Sequence, residues 1–147
     1  MVPTDGSKPG SKPPGQSANA SSEAGAAFAS WYTKWLIYGY VARSSKPLRL
    51  YADECPQCDV AADQIDDAVA SDIHFEGSLT KTLIVQTSNL RSTRMDVAVK
   101  WQSAGFTLVK PDGQTSRQFD GGSGVYIITL VRAKGQGWRV HQIAIVS

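Results

Sequence analysis

Apolar positions change period once along this chain, and that change divides it. Phe28, Trp31, Tyr32, Trp35, Leu36 and Gly39 recur at the i, i+3, i+4, i+7 spacing of one helical face. The spacing predicts a first helix, with Glu23 at the end where the helix dipole favours an anion. Gly39 inside the stripe predicts close approach of another backbone. Ser44-Ser45-Lys46 breaks the pattern, and Pro47 fits the first turn of a short second helix through Tyr51. A third helix is expected from Cys55-Pro56 to about Ala70, with Cys58, Ala61, Ile65, Ala68 and Val69 as its buried stripe. From Ser78 the period falls to two. Leu79, Lys81, Leu83 and Val85 alternate with Thr80, Thr82, Ile84 and Gln86, and Met95, Val97, Val99 and Trp101 share one face. Phe106–Val109 reads as a further strand ended by the Lys110-Pro111-Asp112-Gly113 turn, and Gly121–Gly124 reads as a loop. Val125–Ala133 and Trp138–Val146 complete a hairpin. Helices first and strands after predict an α+β domain: three helices on one face of a strongly curved antiparallel sheet of four to six strands.

Residues 1–22 are Gly, Ser, Pro, Lys, Ala and Asn with almost no large apolar side chain. Such a stretch is expected to be a disordered linker, leaving 23–147 as a single domain. The composition is otherwise that of an ordinary globular protein, 41% hydrophobic and 19% charged. The net charge of +2 is unevenly spread. Residues 53–72 hold seven acids and no base, and 73–147 hold nine bases against four acids. Those bases are scattered among strand positions, so a solvated sheet face is favoured over a nucleic-acid surface. No run is long and apolar enough for a transmembrane helix.

The candidate chemistry is sparse. Cys55-Pro56-Gln57-Cys58 holds the chain's two cysteines. The spacing admits a structural disulfide, a redox couple at a helix start, or two free thiols. The disulfide is favoured, because a helical segment precedes Cys55 where a redox fold places a strand, and Asp53, Glu54 and Asp59 oppose a thiolate. Zinc would require His74 and His141, which are 67 positions apart and lack a ligand-pair spacing. No metal and no cofactor is expected. The acidic stretch lacks a calcium-loop pattern and reads as a solvated helix face. Asp96 falls opposite the apolar face of its strand. His141, in register with Ile143 and Ile145, and Tyr126, a hydroxyl donor, are candidate cavity-lining residues.

The order of elements, closing on a hairpin with Trp138-Arg139-Val140, resembles the nuclear-transport-factor-2-like (cystatin-like) cone. Phe28-Ala29-Ser30-Trp31-Tyr32, Pro47-Leu48-Arg49, the Cys-x-x-Cys helix entry, Glu76-Gly77 and Trp138-Arg139-Val140 resemble an uncharacterised family of actinobacterial lipoproteins over about residues 25–147. The resemblance implies a cell-envelope domain on a flexible tether, extracytoplasmic and held to the membrane by an N-terminal lipid anchor not present in this sequence. A non-enzymatic binding or accessory module is therefore expected, its partner an envelope protein or small ligand and not nucleic acid. The alternatives are a ketosteroid-isomerase-like enzyme or small-molecule binder using the cone, and a thiol–disulfide redox protein.

Overall fold

A computed structural model describes residues 8–16, 21–133 and 135–146. The elements run α1 (Ser22–Ala42), α2 (Lys46–Leu50), α3 (Pro56–Ala70), β1 (His74–Gly77), β2 (Lys81–Ser88), β3 (Arg94–Val109), β4 (Thr115–Val131) and β5 (Arg139–Val146). Three helices pack on a five-stranded antiparallel sheet, within the expected architecture.

The helix boundaries follow from local chemistry. Ser21 caps α1 by accepting a hydrogen bond from the Ala24 N–H at 3.0 Å, and Glu23 lies in the first turn. Arg43 ends the helix in the left-handed conformation, φ 56°, and its guanidinium reaches the Ile73 carbonyl at 2.8 Å. The close neighbour of Gly39 is a side chain and not the backbone of another element: a Cβ there would overlap the end of the Ile65 side chain on α3. On α3 the buried stripe is Cys58, Ala62, Ile65 and Ala68, whereas Ala61 and Val69 are only half-buried. Arg49 ties α2 to α3 through Asp63 at 2.7 Å and Asp66 at 2.6 Å, and the Ser45 hydroxyl donates to Asp66 at 2.7 Å.

β3 is the hub of the sheet. Its first half pairs β2 (Ser88 opposite Asp96 through Lys81 opposite Gln102), its second half pairs β1, and its other edge pairs β4 throughout. Two expectations are corrected here. Phe106–Val109 is no separate strand, and Gly121–Gly124 is no loop; both are continuous parts of β3 and β4. Two of the glycines leave room for a close neighbour, backbone in one case and a ring in the other. A Cβ on Gly121 would lie 2.7 Å from the Ala104 carbonyl oxygen, and one on Gly124 would meet the Trp101 ring at 2.8 Å. Along β3, inward positions are odd up to Ser103 (Met95, Val97, Val99) and even beyond Gly105 (Phe106, Leu108). Gly105, at φ 95°, turns the strand over. Strand β1 was hidden in the sequence between the third helix and the period change.

The core fills the space between α1, α3 and one end of the sheet. Phe28, Tyr32, Leu48, Ile65, Met95, Val97, Val99, Ile128, Leu130, Trp138 and Val140 are all fully buried. The Tyr32 hydroxyl donates to the Leu48 carbonyl at 2.6 Å, satisfying both buried groups.

Residues 8–16, part of the stretch whose composition suggests a disordered linker, lie against the folded domain here. The Gly10 carbonyl accepts hydrogen bonds from the indoles of Trp31 (2.6 Å) and Trp35 (3.3 Å), and the Gln16 amide donates to the Trp138 carbonyl at 3.2 Å. Composition missed this because it counts what a segment can bury by itself, not the donors that a folded neighbour offers. Residues 1–7 and 17–20 lie outside the described residues.

Candidate functional site

A cavity of about 440 Å³ opens between the helices and the wide end of the sheet. α1 contributes Thr33, Leu36, Ile37 and Tyr40, and α3 contributes Gln57, Val60, Ala61 and Gln64. The floor is Trp101, Ser103 and Phe106 of β3, Phe119 and Tyr126 of β4, and Ile143 of β5. The volume falls in the range that holds a small molecule. Its rim is apolar and wet at once: Val60 is 56% exposed and Ile145 75%.

The floor is built from paired aromatic rings. Trp101 stacks on Tyr126 at 5.6 Å, Phe106 stacks on Phe119 at 4.3 Å, and Tyr40 approaches Phe106 at 6.1 Å. Arg117 lies over the outer ring of Phe119, 4.8 Å from its centroid. Burial pushes the Tyr126 phenol up from its ordinary value. It does the same to Tyr40, with Arg117 pulling the other way. Neither phenol is therefore ionised at physiological pH, so neither is poised as a phenolate base. Two polar groups in the wall, Thr80 Oγ1 and Trp101 Nε1, are buried without a hydrogen-bond partner among the described residues. Asp120 is the one carboxylate among the lining residues, and it sits exposed at the mouth.

The two residues expected to line this cavity separate. Tyr126 does line it. His141 does not: its Nδ1 lies 2.8 Å from the Asp53 carbonyl oxygen, outside the cavity wall. The cause is a bulge. Thr129 pairs with Gln142 while Leu130 pairs with Val140, so His141 is left over. The bulge sends Val140 and Ile143 inward, three positions apart, and breaks the alternation that placed His141 with Ile143. Asp96 also stays out of the cavity, accepting hydrogen bonds from Thr129 (2.9 Å) and Asn89 (3.3 Å). His74 pairs with Asp72 at 3.0 Å on the surface. No cluster suited to a metal ion occurs among the described residues.

Cys55 and Cys58 are joined, with sulfurs 2.08 Å apart. The bond lies within the N-terminal turn of α3, where Cys55 is the cap and its sulfur accepts from the Cys58 N–H at 3.1 Å. Both cysteines are buried, at 2% and 0% exposure, which denies an attacking thiol its approach. The segment leading into the turn is held to β5 by reciprocal hydrogen bonds at 2.8 Å, Asp53 N–H to the Val140 carbonyl and Val140 N–H to the Tyr51 carbonyl.

The aromatic floor was legible only in part. Trp101 shared a face with Met95, Val97 and Val99, which pointed it inward. Phe106 and Phe119 carried no such signal, because Gly105 inverts the parity between them and Trp101. The cavity itself, being a shortage of side-chain volume, is marked in sequence by small residues opposite one another, Ser103 and Gly122.

No family model and no curated protein matches this chain. Solved structures do. The intermembrane-space region of chloroplast protein ARC6 is similar at a TM-score of 0.57 and 13% identity, over 83% of this chain and 96% of that one. An uncharacterised protein with a cystatin-like fold from Caulobacter vibrioides is similar at 0.47 and 12% identity, over 81% and 84% of the two chains. A nuclear transport factor 2-like superfamily protein from Salmonella enterica serovar Typhimurium follows at 0.48 and 12%, over 81% and 87%. At these identities the likeness is one of fold alone, and the architecture is the α+β one expected from the order of elements, three helices on an antiparallel sheet.

Proposed function

We propose that this chain is a binding module that takes a small, largely apolar molecule into its cone cavity, displayed outside the cytoplasm on an N-terminal tether. The observation that carries the reading is the cavity: about 440 Å³, floored by stacked aromatic rings and reached through an apolar rim. Isomerase-type chemistry needs a base inside such a cavity. Here the two phenols are held protonated, and the single carboxylate stands in solvent at the mouth. That arrangement favours binding over catalysis. A hydrogen-bonding group on the ligand would give Thr80 or Trp101 the partner each lacks.

The location rests on the disulfide, which persists in oxidising compartments, and on a Gly/Ser/Pro-rich N-terminal stretch. The order of motifs supports membership of the actinobacterial lipoprotein family, and with it a lipid anchor upstream and delivery of the ligand to, or from, an envelope partner.

Calorimetric titration with a panel of apolar probes of fewer than about 20 heavy atoms (planar aromatics, short isoprenoid alcohols) tests the binding reading. At least one class should bind saturably at one site, with a negative heat-capacity change from apolar burial. Ala61→Trp, which plugs the cavity from α3, should abolish that binding. Binding that persists unchanged in Ala61→Trp would place the ligand elsewhere and overturn the assignment.

A further inference from the structure

A second surface, remote from the cavity floor, carries an inference that does not depend on the cavity's ligand. Trp31, Trp35, Tyr38, Tyr51 and Phe28 form one aromatic cluster along α1. Trp31 meets Tyr51 edge-on at 5.6 Å, Trp35 meets Tyr38 at 5.0 Å, and Phe28 stacks on Trp31 at 5.9 Å. Across it runs Lys8-Pro9-Gly10-Ser11-Lys12-Pro13-Pro14-Gly15-Gln16. Pro9 and Pro13 are half-buried while Lys8, Ser11, Lys12 and Pro14 face solvent. A Pro-rich segment loses little entropy on docking and presents carbonyls as its main polar handles, and aromatic grooves read it by packing on rings and donating to those carbonyls. That is the arrangement here, where two indole N–H groups converge on the single Gly10 carbonyl.

The fit is built from both sides. Gly15 adopts φ 71°, and a Cβ on it would overlap the Ala24 carbonyl oxygen at the start of α1. Gly137, in the β4–β5 connection, would with a Cβ overlap the Gln16 side-chain amide. One glycine is on the segment and the other on the domain, and each is needed for contact at the same end.

We propose that the α1 aromatic face is a recognition groove for extended Gly/Pro-rich chain, and that residues 8–16 are its resident ligand in cis, a releasable clasp. Docked, the clasp holds the tether's last stretch against the domain. Released, it lengthens the tether and uncovers Trp31 and Trp35. The occupant is the chain's own segment because only residues 17–21 separate it from α1, which makes the encounter intramolecular, with an effective concentration of the order of mM.

The test is nuclear magnetic resonance of the four indole N–H groups in the full chain. In the unmodified protein, the Trp31 indole N–H should exchange with solvent at least about tenfold more slowly than in Gly15→Val, whose side chain excludes the docked conformation. Adding a synthetic peptide of residues 8–16 should restore the Trp31 and Trp35 signals in Gly15→Val and leave the unmodified protein unchanged. The Trp101 signal should stay fixed throughout. Equal exchange in the two proteins, or a peptide that restores nothing, would overturn the groove. Should Gly15→Val fail to fold, the unmodified protein still decides: a Trp31 indole exchanging as fast as a solvent-exposed one refutes the clasp. Protection that grows with protein concentration would mean that a second copy supplies the segment, and the cis assignment would fall.

Discussion

The two ends of the β3–β4 ladder share strands, pairing and hydrophobic alternation, yet one is packed solid and the other is hollow. At the closed end bulky side chains oppose each other, Met95 with Leu130 and Val97 with Ile128, and all four are fully buried. At the open end Trp101 opposes Gly124 and Ser103 opposes Gly122, so each pair brings less volume than the space between sheet and helices. Aromatic rings then line the gap without filling it. Periodicity decides which face is inward. The sum of side-chain volumes across the ladder decides whether that face closes.

This contrast can be broken most severely at its closed end. Ile128→Ala should lower stability by about 2–5 kcal/mol in urea denaturation, because the cavity it leaves has rigid walls on every side. Adding volume there should also hurt: Val97→Phe is expected to cost about 1–3 kcal/mol from overpacking. At the open end the same operation should be nearly silent. Ala61→Leu points into existing space and should change stability by no more than about 0.5 kcal/mol. A large loss from Ala61→Leu would mean that the hollow is already filled in solution.

The disulfide falls between the closed-end and open-end substitutions in size. Reducing it opens a very short loop, so the loop-length relation gives a loss of about 2 kcal/mol. Urea denaturation with and without reductant measures this, and two titratable thiols in denatured, unreduced protein would contradict the bond outright. The pH dependence sharpens the contrast further. Burial raises the phenol of Tyr32, with Asp59 adding to the effect, and burial raises that of Tyr126. The unfolded chain ionises near the ordinary value of 10.0 while the folded one does not. Stability is therefore complete below that pH and falls as pH rises beyond it. Tyr126→Phe should remove part of the alkaline loss. On the acid side Arg49, then Ser45, hold Asp66 below the usual carboxylate range. Their contribution is present at neutral pH and disappears as pH falls through the depressed value, the smallest effect of the series because the groups are exposed.

Much of the fold was readable because long, regular segments state their own period. The α1 stripe and the odd positions of β3 up to Trp101 came directly from spacing. What failed were the places where one residue resets the pattern. Gly105 reverses the parity of β3, and the extra residue at His141 reverses that of β5. Both follow from how a strand meets its neighbour, which no single segment encodes. His141 was accordingly placed in the cavity on an alternation that the bulge interrupts. Residues 8–16 show a contact that composition does not state: the segment has no core of its own, but the α1 indoles offer it donors.

The isoleucine Cδ1 methyls test the central claim most directly, since they sample both ends of the ladder. Ile37, Ile143 and Ile145 line the cavity, whereas Ile128 lies in the packed end and Ile84 on exposed β2. Titrating methyl-labelled protein with the best-binding apolar probe should shift the first three and leave Ile128 and Ile84 in place. Shifts centred on Ile84, or spread equally across all five, would contradict a ligand site in the cone.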